Sequence, residues 1–260
     1  MKRNRQQLLL AISNSKSWPW TTRGSPRLKS WSCQKQNRRL QTMMNKANKW
    51  DAILFDVDGT LIDSIPFIVE SFQHAFRLHL GHPLDEAAIM AGIGTPLETA
   101  FSHWPPEQAK VLMESYLEYN QANLHHGIGV FWQVPAMLGR LQQTGIPLGI
   151  VTSKRLRALT PTLEDFDLAR FFGLIITKED TKLHKPNPEP LYEAMKRLGL
   201  SRPDRILYVG DSIHDLECAV RAGCQPVMVG WTRMPKQALR QTHPAIWIEQ
   251  ADELLELLED

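Results

Sequence analysis

The stretch Ala52 to Leu61, AILFDVDGTL, constrains this chain more than any other. Ala52 to Phe55 is a short unbroken apolar run, the pattern of a strand buried on both faces. It stops at Asp56, a second acid follows at Asp58, and Gly59 and Thr60 come next. Two carboxylates two residues apart at the mouth of a buried strand repel each other and are costly to desolvate. A hard cation such as Mg2+ takes oxygen ligands and would offset that charge. A strand ending in a solvated acidic turn fits the same residues. Gly59 lets the backbone turn sharply after the acids. An EF-hand calcium loop is excluded, because the sixth position counted from Asp56 is Leu61 rather than glycine.

After this strand the pattern turns helical, from Ser64 to about Gly127. Ile65, Ile68, Val69, Phe72, Ala75 and Phe76 recur at three and four, the stripe of an amphipathic helix. Val111, Leu112, Ser115, Tyr116 and Tyr119 mark a second. Between them lies the loop GIGTPLE, Gly92 to Glu98, which lacks the third glycine of a dinucleotide loop. An all-helical insertion directly after strand one reads as a cap domain. In its loop Gly94 allows close backbone approach, and Thr95 and Glu98 are polar groups able to meet a substrate. They also suit a helix start, with Thr95 as N-cap, Pro96 at the first position and Glu98 at the third.

Strands and helices then alternate to the end. Helices are expected over 134–143, 155–165, 191–198, 213–222 and 252–258. Strands are expected over 147–151, 173–177, 205–209, 226–229 and 245–248. Strands spaced by single helices make this an α/β chain: a doubly wound parallel sheet with a helical cap, whose ligands sit at the carboxyl ends of the strands. Residues 50–63 and 128–260 form the expected core, and 64–127 the cap.

Charge divides the chain differently. Before Asp51 there are twelve Lys and Arg and no acid, which leaves 18 bases against all 28 acids, a net charge of −10, in the remainder. Residues 1–49 are basic, polar and without periodicity, a composition that cannot bury enough surface to order itself. They fit an organellar targeting segment, a basic arm for nucleic acid, or sequence upstream of a true start at Met43 or Met44; the last is favoured, since the fold needs nothing before Lys49. The acidic body offers no continuation of a basic patch, so no nucleic-acid partner is expected for the core. No apolar run approaches the roughly 18 residues of a membrane span. Three cysteines, Cys33, Cys218 and Cys224, form no metal spacing and no even disulfide set, which suits a reducing, cytoplasmic setting.

The long apolar strands end in residues suited to phosphate. Asp56 and Asp58 end the first, Thr152 and Ser153 the second, and Asp211 the fourth, with Lys185 on a loop between. Singly each has a plain explanation: a solvated lysine, or a capping serine such as Ser212 for the helix that follows. Asp215 suits the first turn of that helix, where the dipole favours an acid. A parallel sheet, however, brings all these ends to one edge.

This set resembles the haloacid dehalogenase-like hydrolases. Asp56-x-Asp58-Gly-Thr is similar to their first motif, Thr152-Ser153 to the second, Lys185-Pro186 to the third, and Gly210-Asp211-Ser-x-x-Asp215 to the fourth. The four occur in family order over about residues 50–258, with the insert where that family's C1-type cap belongs. IGTPLETAF, IVTSKR, KPNPEPLYEAMKRLG, VGDSIHDLECAVRAG and VGWT look like the phosphoglycolate phosphatase branch and the PpaX-type pyrophosphatases.

The resemblance implies a two-step transfer. Asp56 would attack phosphorus and form an aspartyl-phosphate, and Asp58 would act as general acid and then base. Mg2+ would be held by Asp56, the Asp58 carbonyl and Asp211, while Thr152, Ser153 and Lys185 would bind phosphate oxygens. Asp215 and Ser212 would support the metal site from behind, and Gly94, Thr95 and Glu98 of the cap loop would meet the leaving group. The substrate would be a small phosphorylated metabolite, phosphoglycolate-like, or pyrophosphate; nothing speaks to oligomeric state. Asp58 argues against dehalogenation, and the absence of lysine between Lys49 and Lys110 argues against phosphonate cleavage through a cap Schiff base. A β-phosphoglucomutase-like phosphoryl transfer is the runner-up. A phospho-accepting receiver domain also uses Asp, Thr and Lys, but its acceptor follows the third strand and a cap would serve no purpose there.

Overall fold

The computed structural model describes residues 49–243 and 245–259. The expectations for the basic head and for Cys33 lie outside these. The chain opens with β1 (Ala52–Phe55) and β2 (Ile62–Asp63). Four helices follow: α1 (Ile65–Leu80), α2 (Glu86–Gly92), α3 (Leu97–Ala100) and α4 (Pro106–Gly127). Next come β3 (Gly129–Val130), α5 (Val134–Thr144), β4 (Leu148–Val151), α6 (Leu156–Asp165), β5 (Leu174–Ile176) and α7 (Glu189–Leu198). The chain closes with β6 (Ile206–Gly210), α8 (Ile213–Ala222), β7 (Gln225–Val229), α9 (Lys236–Thr242), β8 (Ile246–Ile248) and α10 (Glu253–Glu256).

The apolar run of β1 is explained by its place. It pairs in parallel on both edges, Ile53 opposite Leu148 of β4 and opposite Leu207 of β6. All four residues are buried. Successive side chains enter opposite layers: Ile53 and Phe55 pack with Leu138, Leu141 and Leu159, while Leu54 packs with Leu191, Tyr208 and Cys218. Six parallel strands in the order β5-β4-β1-β6-β7-β8 complete the sheet, with helices on both faces. This is the doubly wound architecture expected.

The insert leaves and returns through a small antiparallel ribbon, Ile62 opposite Val130 and Asp63 opposite Gly129. Those paired strands hold α1 to α4 over the carboxyl end of β1. The α1 stripe buries Ile65, Phe72, Ala75 and Phe76, and adds Phe67 and Ser71. Phe72 anchors the insert, with ring centroids 4.8 Å from Tyr116 of α4 and 5.0 Å from Phe101. Val111, read as part of the α4 stripe, instead faces solvent.

Two short helices were not legible in the sequence. In α2 a run of alanines carries one buried residue, Ile89, and Asp85 supplies its N-cap. In α9 only Leu239 is buried. The start of α3 also differs from expectation: Pro96, not Thr95, occupies the N-cap position, and no side chain caps it. The Thr95 hydroxyl points backwards and donates to the Gly92 carbonyl at 2.7 Å, closing the end of α2. Among the described residues no helix is long and apolar enough to cross a membrane.

Candidate active site

Beyond β1 the chain folds back on itself at once. Leu61 and Ile62 donate from their amides to the Val57 carbonyl at 2.9 and 3.0 Å, and the Gly59 amide donates to the Ile62 carbonyl at 2.8 Å. The turn requires φ of +78° at Gly59, and a Cβ there would stand 2.1 Å from Asp211 Oδ2. Glycine therefore lets the loop after β1 lie against the end of β6.

That end is built by α8. Ser212 and Asp215 form a capping box: the Ser212 hydroxyl and amide donate to Asp215 Oδ2 at 2.6 and 3.1 Å. Asp215 Oδ1 accepts from Lys185 Nζ at 2.6 Å and from the Tyr208 hydroxyl at 2.9 Å. The same lysine nitrogen lies 2.9 Å from Asp56 Oδ1, and its side chain is 1% exposed. Lys185 thus bridges the ends of β1 and β6. Asp211 Oδ2 accepts from Thr232 Oγ1 at 3.1 Å.

The charges are crowded. Burial pushes Asp56 up to about 7, against the pull of Lys185 and with the repulsion of Asp215 adding to the rise. Burial and the charges of Asp215 and Asp56 push Asp211 well above the carboxylate range. Burial also acts on Asp215, but Lys185 and three hydrogen-bond donors outweigh it and hold that carboxyl low. Asp215 is therefore the counter-ion of Lys185, while Asp56 and Asp211 lack adequate positive charge.

Asp58 is turned elsewhere. Its Oδ1 accepts from Ser64 Oγ at 2.6 Å and from Lys154 Nζ at 2.8 Å. Burial raises this carboxyl, yet Lys154 and the two hydrogen bonds overcome that and hold it below its ordinary value.

Thr152, at the end of β4, lies in the same buried corner, its hydroxyl accepting from the Lys154 amide at 3.2 Å. Ser153 faces the cap, donating to the Gly94 carbonyl at 2.8 Å. Gly94 itself has φ of +93°, and a Cβ on it would lie 2.9 Å from Ser212 Oγ. Glu98 reaches back to the core, pairing with Arg155 and, at 2.7 Å, with Lys178. The cap loop is thereby fastened to β4, β5 and α8 together.

Between cap and core is a cavity of about 130 Å3 with Asp56, Asp58, Thr152 and Lys185 at its floor. Phe67, Phe72, Leu117 and Leu124 wall it, and Tyr116, Asn120, Lys154, Arg155 and Lys178 supply polar groups. All five of these polar residues escaped the sequence reading as site residues, Arg155 and Lys178 because each reads as a solvated charge after a strand. Lys154 looks like any lysine following a strand, Tyr116 falls in a helical stripe that reads as core, and Asn120 carries no local signal.

Asp56, Asp211 and Asp215 offer carboxylate oxygens within 4.8 Å of one another. Asp56 Oδ1 is buried and makes no hydrogen bond of sound geometry despite its nearness to Lys185. An all-oxygen set with surplus negative charge fits a hard divalent cation such as Mg2+. The Asp58 carboxylate is not part of the cluster, so only its backbone carbonyl could contribute.

Sheet, insert and buried edge together define a capped α/β hydrolase. The chain belongs to the haloacid dehalogenase-like hydrolase family, whose model matches residues 53–229. Pyrophosphatase PpaX of Oceanobacillus iheyensis is 34% identical over 209 residues, covering 80% of this chain and 96% of that one. Pyrophosphatase PpaX of Anoxybacillus flavithermus is 32% identical over 208 residues, covering 80% and 96%. Among solved structures, a "predicted phosphoglycolate phosphatase" from Haemophilus somnus superposes with a TM-score of 0.72 at 25% identity, covering 81% of this chain and 99% of that one. A haloacid dehalogenase-like family hydrolase from Streptococcus pneumoniae gives 0.70 at 26%, covering 80% and 98%.

Proposed function

We propose that this chain is a Mg2+-dependent phosphatase that hydrolyses a small phosphorylated metabolite, phosphoglycolate-like, or pyrophosphate, through an aspartyl-phosphate. The observation that carries the reading is Asp56. It is a buried carboxylate at a strand end, 2.9 Å from a lysine that already has its own counter-ion in Asp215. Such a carboxylate faces a cavity with an oxygen that no hydrogen bond of sound geometry among the described residues occupies, as a nucleophile requires.

In the first step an Asp56 oxygen forms a bond to phosphorus, and the bond to the leaving oxygen breaks. The electron pair stays with that oxygen, which takes a proton through Asp58: the carboxyl, ionised before substrate binds, first accepts that proton from the substrate's own phosphate monoanion. In the second step Asp58, now a carboxylate, takes a proton from water as the water oxygen attacks phosphorus, releasing phosphate and restoring Asp56. Lys185 and Thr152 hold the oxygens on which charge spreads. When bound, Mg2+ supplies positive charge between the nucleophile and the phosphoryl oxygens; Asp56, Asp211 and the Asp58 carbonyl would hold it. Phe67, Phe72 and Leu124 give the cavity an apolar wall, and a lower local dielectric strengthens each of these interactions. Residues 64–127 act as the cap, and the enzyme works in the cytoplasm.

Assays of 2-phosphoglycolate, pyrophosphate and other phosphate compounds, with Mg2+ and with chelator, test the reading. Phosphate release that needs Mg2+ and vanishes in Asp56→Asn is expected. An Asp56→Asn variant retaining even about a tenth of the wild-type rate would contradict nucleophilic catalysis.

A further inference from the structure

The cavity wall beside Asp58 has a charge balance of its own. Lys154, Arg155 and Lys178 line it. Asp58 takes Lys154 at 2.8 Å, and a single oxygen of Glu98 takes both Arg155 and Lys178. Three positive charges therefore have two carboxylates in contact, and Glu179 adds only a weaker pull on Lys178. Burial and the neighbouring Arg155 push Lys178 below its ordinary value, a sign that one carboxylate oxygen does not satisfy two cations.

Other polar groups of the cavity await partners. The Tyr116 hydroxyl, on a side chain 8% exposed, makes no hydrogen bond among the described residues, and the cavity is what it faces. Asn120 uses one amide hydrogen on Ser71 Oγ at 3.1 Å and keeps the other. Asp58 is pinned through Oδ1 by Ser64 and Lys154, which leaves Oδ2 for the leaving oxygen. An oxygen within reach of Oδ2 is then also within reach of the ammonium beside it.

We propose that Lys154, with Tyr116 and Asn120, forms a leaving-group subsite for an anionic, oxygen-rich group, with Lys154 in direct contact with it. This rests on the phosphatase reading above. The group is either a second phosphoryl or a carboxylate close to the ester oxygen, the two small anions that place an oxygen beside both Asp58 Oδ2 and Lys154. Lys154 stabilises negative charge on the departing group in the first step alone, while its hold on the Asp58 carboxyl serves both steps. Water, not the leaving group, occupies that place in the second.

This division gives the test. Wild type, Lys154→Met and Lys154→Arg are assayed on pyrophosphate, 2-phosphoglycolate and ethyl phosphate, whose leaving group is neutral. Single-turnover decay of the phosphoenzyme is followed beside them. Wild type is expected to favour at least one anionic leaving group over ethyl phosphate by more than about tenfold in kcat/KM. Lys154→Met should lose roughly 10- to 100-fold on that substrate, the worth of one hydrogen bond to a charged group, and far less on ethyl phosphate. Phosphoenzyme decay should slow by clearly less than the loss on that substrate, because only the hold on Asp58 is missing there, and Lys154→Arg should restore most of the preference. Which of the two anions is preferred identifies the second phosphoryl or the carboxylate. Equal losses on all three substrates, or decay slowed as much as turnover of the preferred substrate, would show that Lys154 acts only through Asp58 and overturn the subsite. A wild-type preference for ethyl phosphate overturns it without any variant. Hydrolysis of none of the three would remove the phosphatase reading, and the subsite with it.

Discussion

At φ of +78°, with no room for a Cβ beside Asp211, Gly59 joins backbone conformation to the metal site. Gly59→Ala should cost about 1–2 kcal/mol for the left-handed backbone. It should also displace Asp211 and lower Mg2+ affinity, read as a weaker Mg2+-dependent rise in Tm; wild-type affinity would remove Asp211 from the ligand set. Asp211→Asn should act in the opposite sense on stability without metal. Removing one of the crowded carboxylates should raise the Tm of the chelated protein at pH 8, by some 2–4 °C for each roughly 1 kcal/mol relieved. The same variant should abolish the response to Mg2+. The pH dependence follows from Asp56, whose carboxyl rises from an ordinary 3.8 to about 7 through burial, against the pull of Lys185. Between those values the folded state holds the additional proton, so its stabilising effect is complete below about pH 4 and lost as pH rises through 7. Asp58 and Asp215, both held low, are ionised throughout that window. Chelated protein should thus lose Tm from about pH 4 to 7, and Mg2+ should restore it; a Tm that climbs over this range would contradict the assignment. The acids at the strand mouths were legible because two of them are costly there without a partner. Lys154 was not, since its importance lies in what it touches across 96 residues of chain.

Among the elements, the cap loop shows the limits of local pattern. Thr95-Pro96-Leu97-Glu98 has the letters of a helix start, yet the Thr95 hydroxyl closes the preceding helix and Glu98 spans to the core. Tertiary partners decided between uses that the sequence left equal. Thr95→Ala should therefore lower stability by about 1 kcal/mol through its lost hydrogen bond, with the ratio of kcat/KM between two substrates unchanged. A shifted ratio would mean that the hydroxyl meets substrate after all. Glu98→Gln should behave differently. Its partners sit at a half-exposed rim, so stability should change by less than about 1 kcal/mol. The loosened cap should raise KM for every substrate alike. Thermal melts with steady-state kinetics on one preparation separate the two residues. Long helices with a continuous stripe, α1 and α4, were readable from spacing; α2 and α9, each with one buried residue, were not.

For the whole molecule, the described chain closes on itself near its start. The indole nitrogen of Trp50 donates to the Leu257 carbonyl at 2.7 Å, and Arg205 pairs with Asp51 at 2.9 Å. A variant lacking residues 1–42 should keep the Tm and kcat/KM of the full chain; a large fall in either would show that this segment docks on the body. Alternation of strands and helices disclosed a parallel sheet, but not that β1 lies between β4 and β6. That order, set by long-range pairing, is what brings Asp56 and Thr152 to one cavity with Lys185, and Asp211 within 4.8 Å of Asp56 behind it. Its chemical meaning is a covalent phosphoenzyme on Asp56, and trapping that species is the most direct test. Asp58→Asn should still form the intermediate slowly but fail to hydrolyse it. After incubation with Mg2+ and substrate and an acid quench, mass spectrometry should find one phosphoryl group on the peptide carrying Asp56. A variant that turns over with no such adduct, or that carries the phosphoryl group on another residue, would contradict the account.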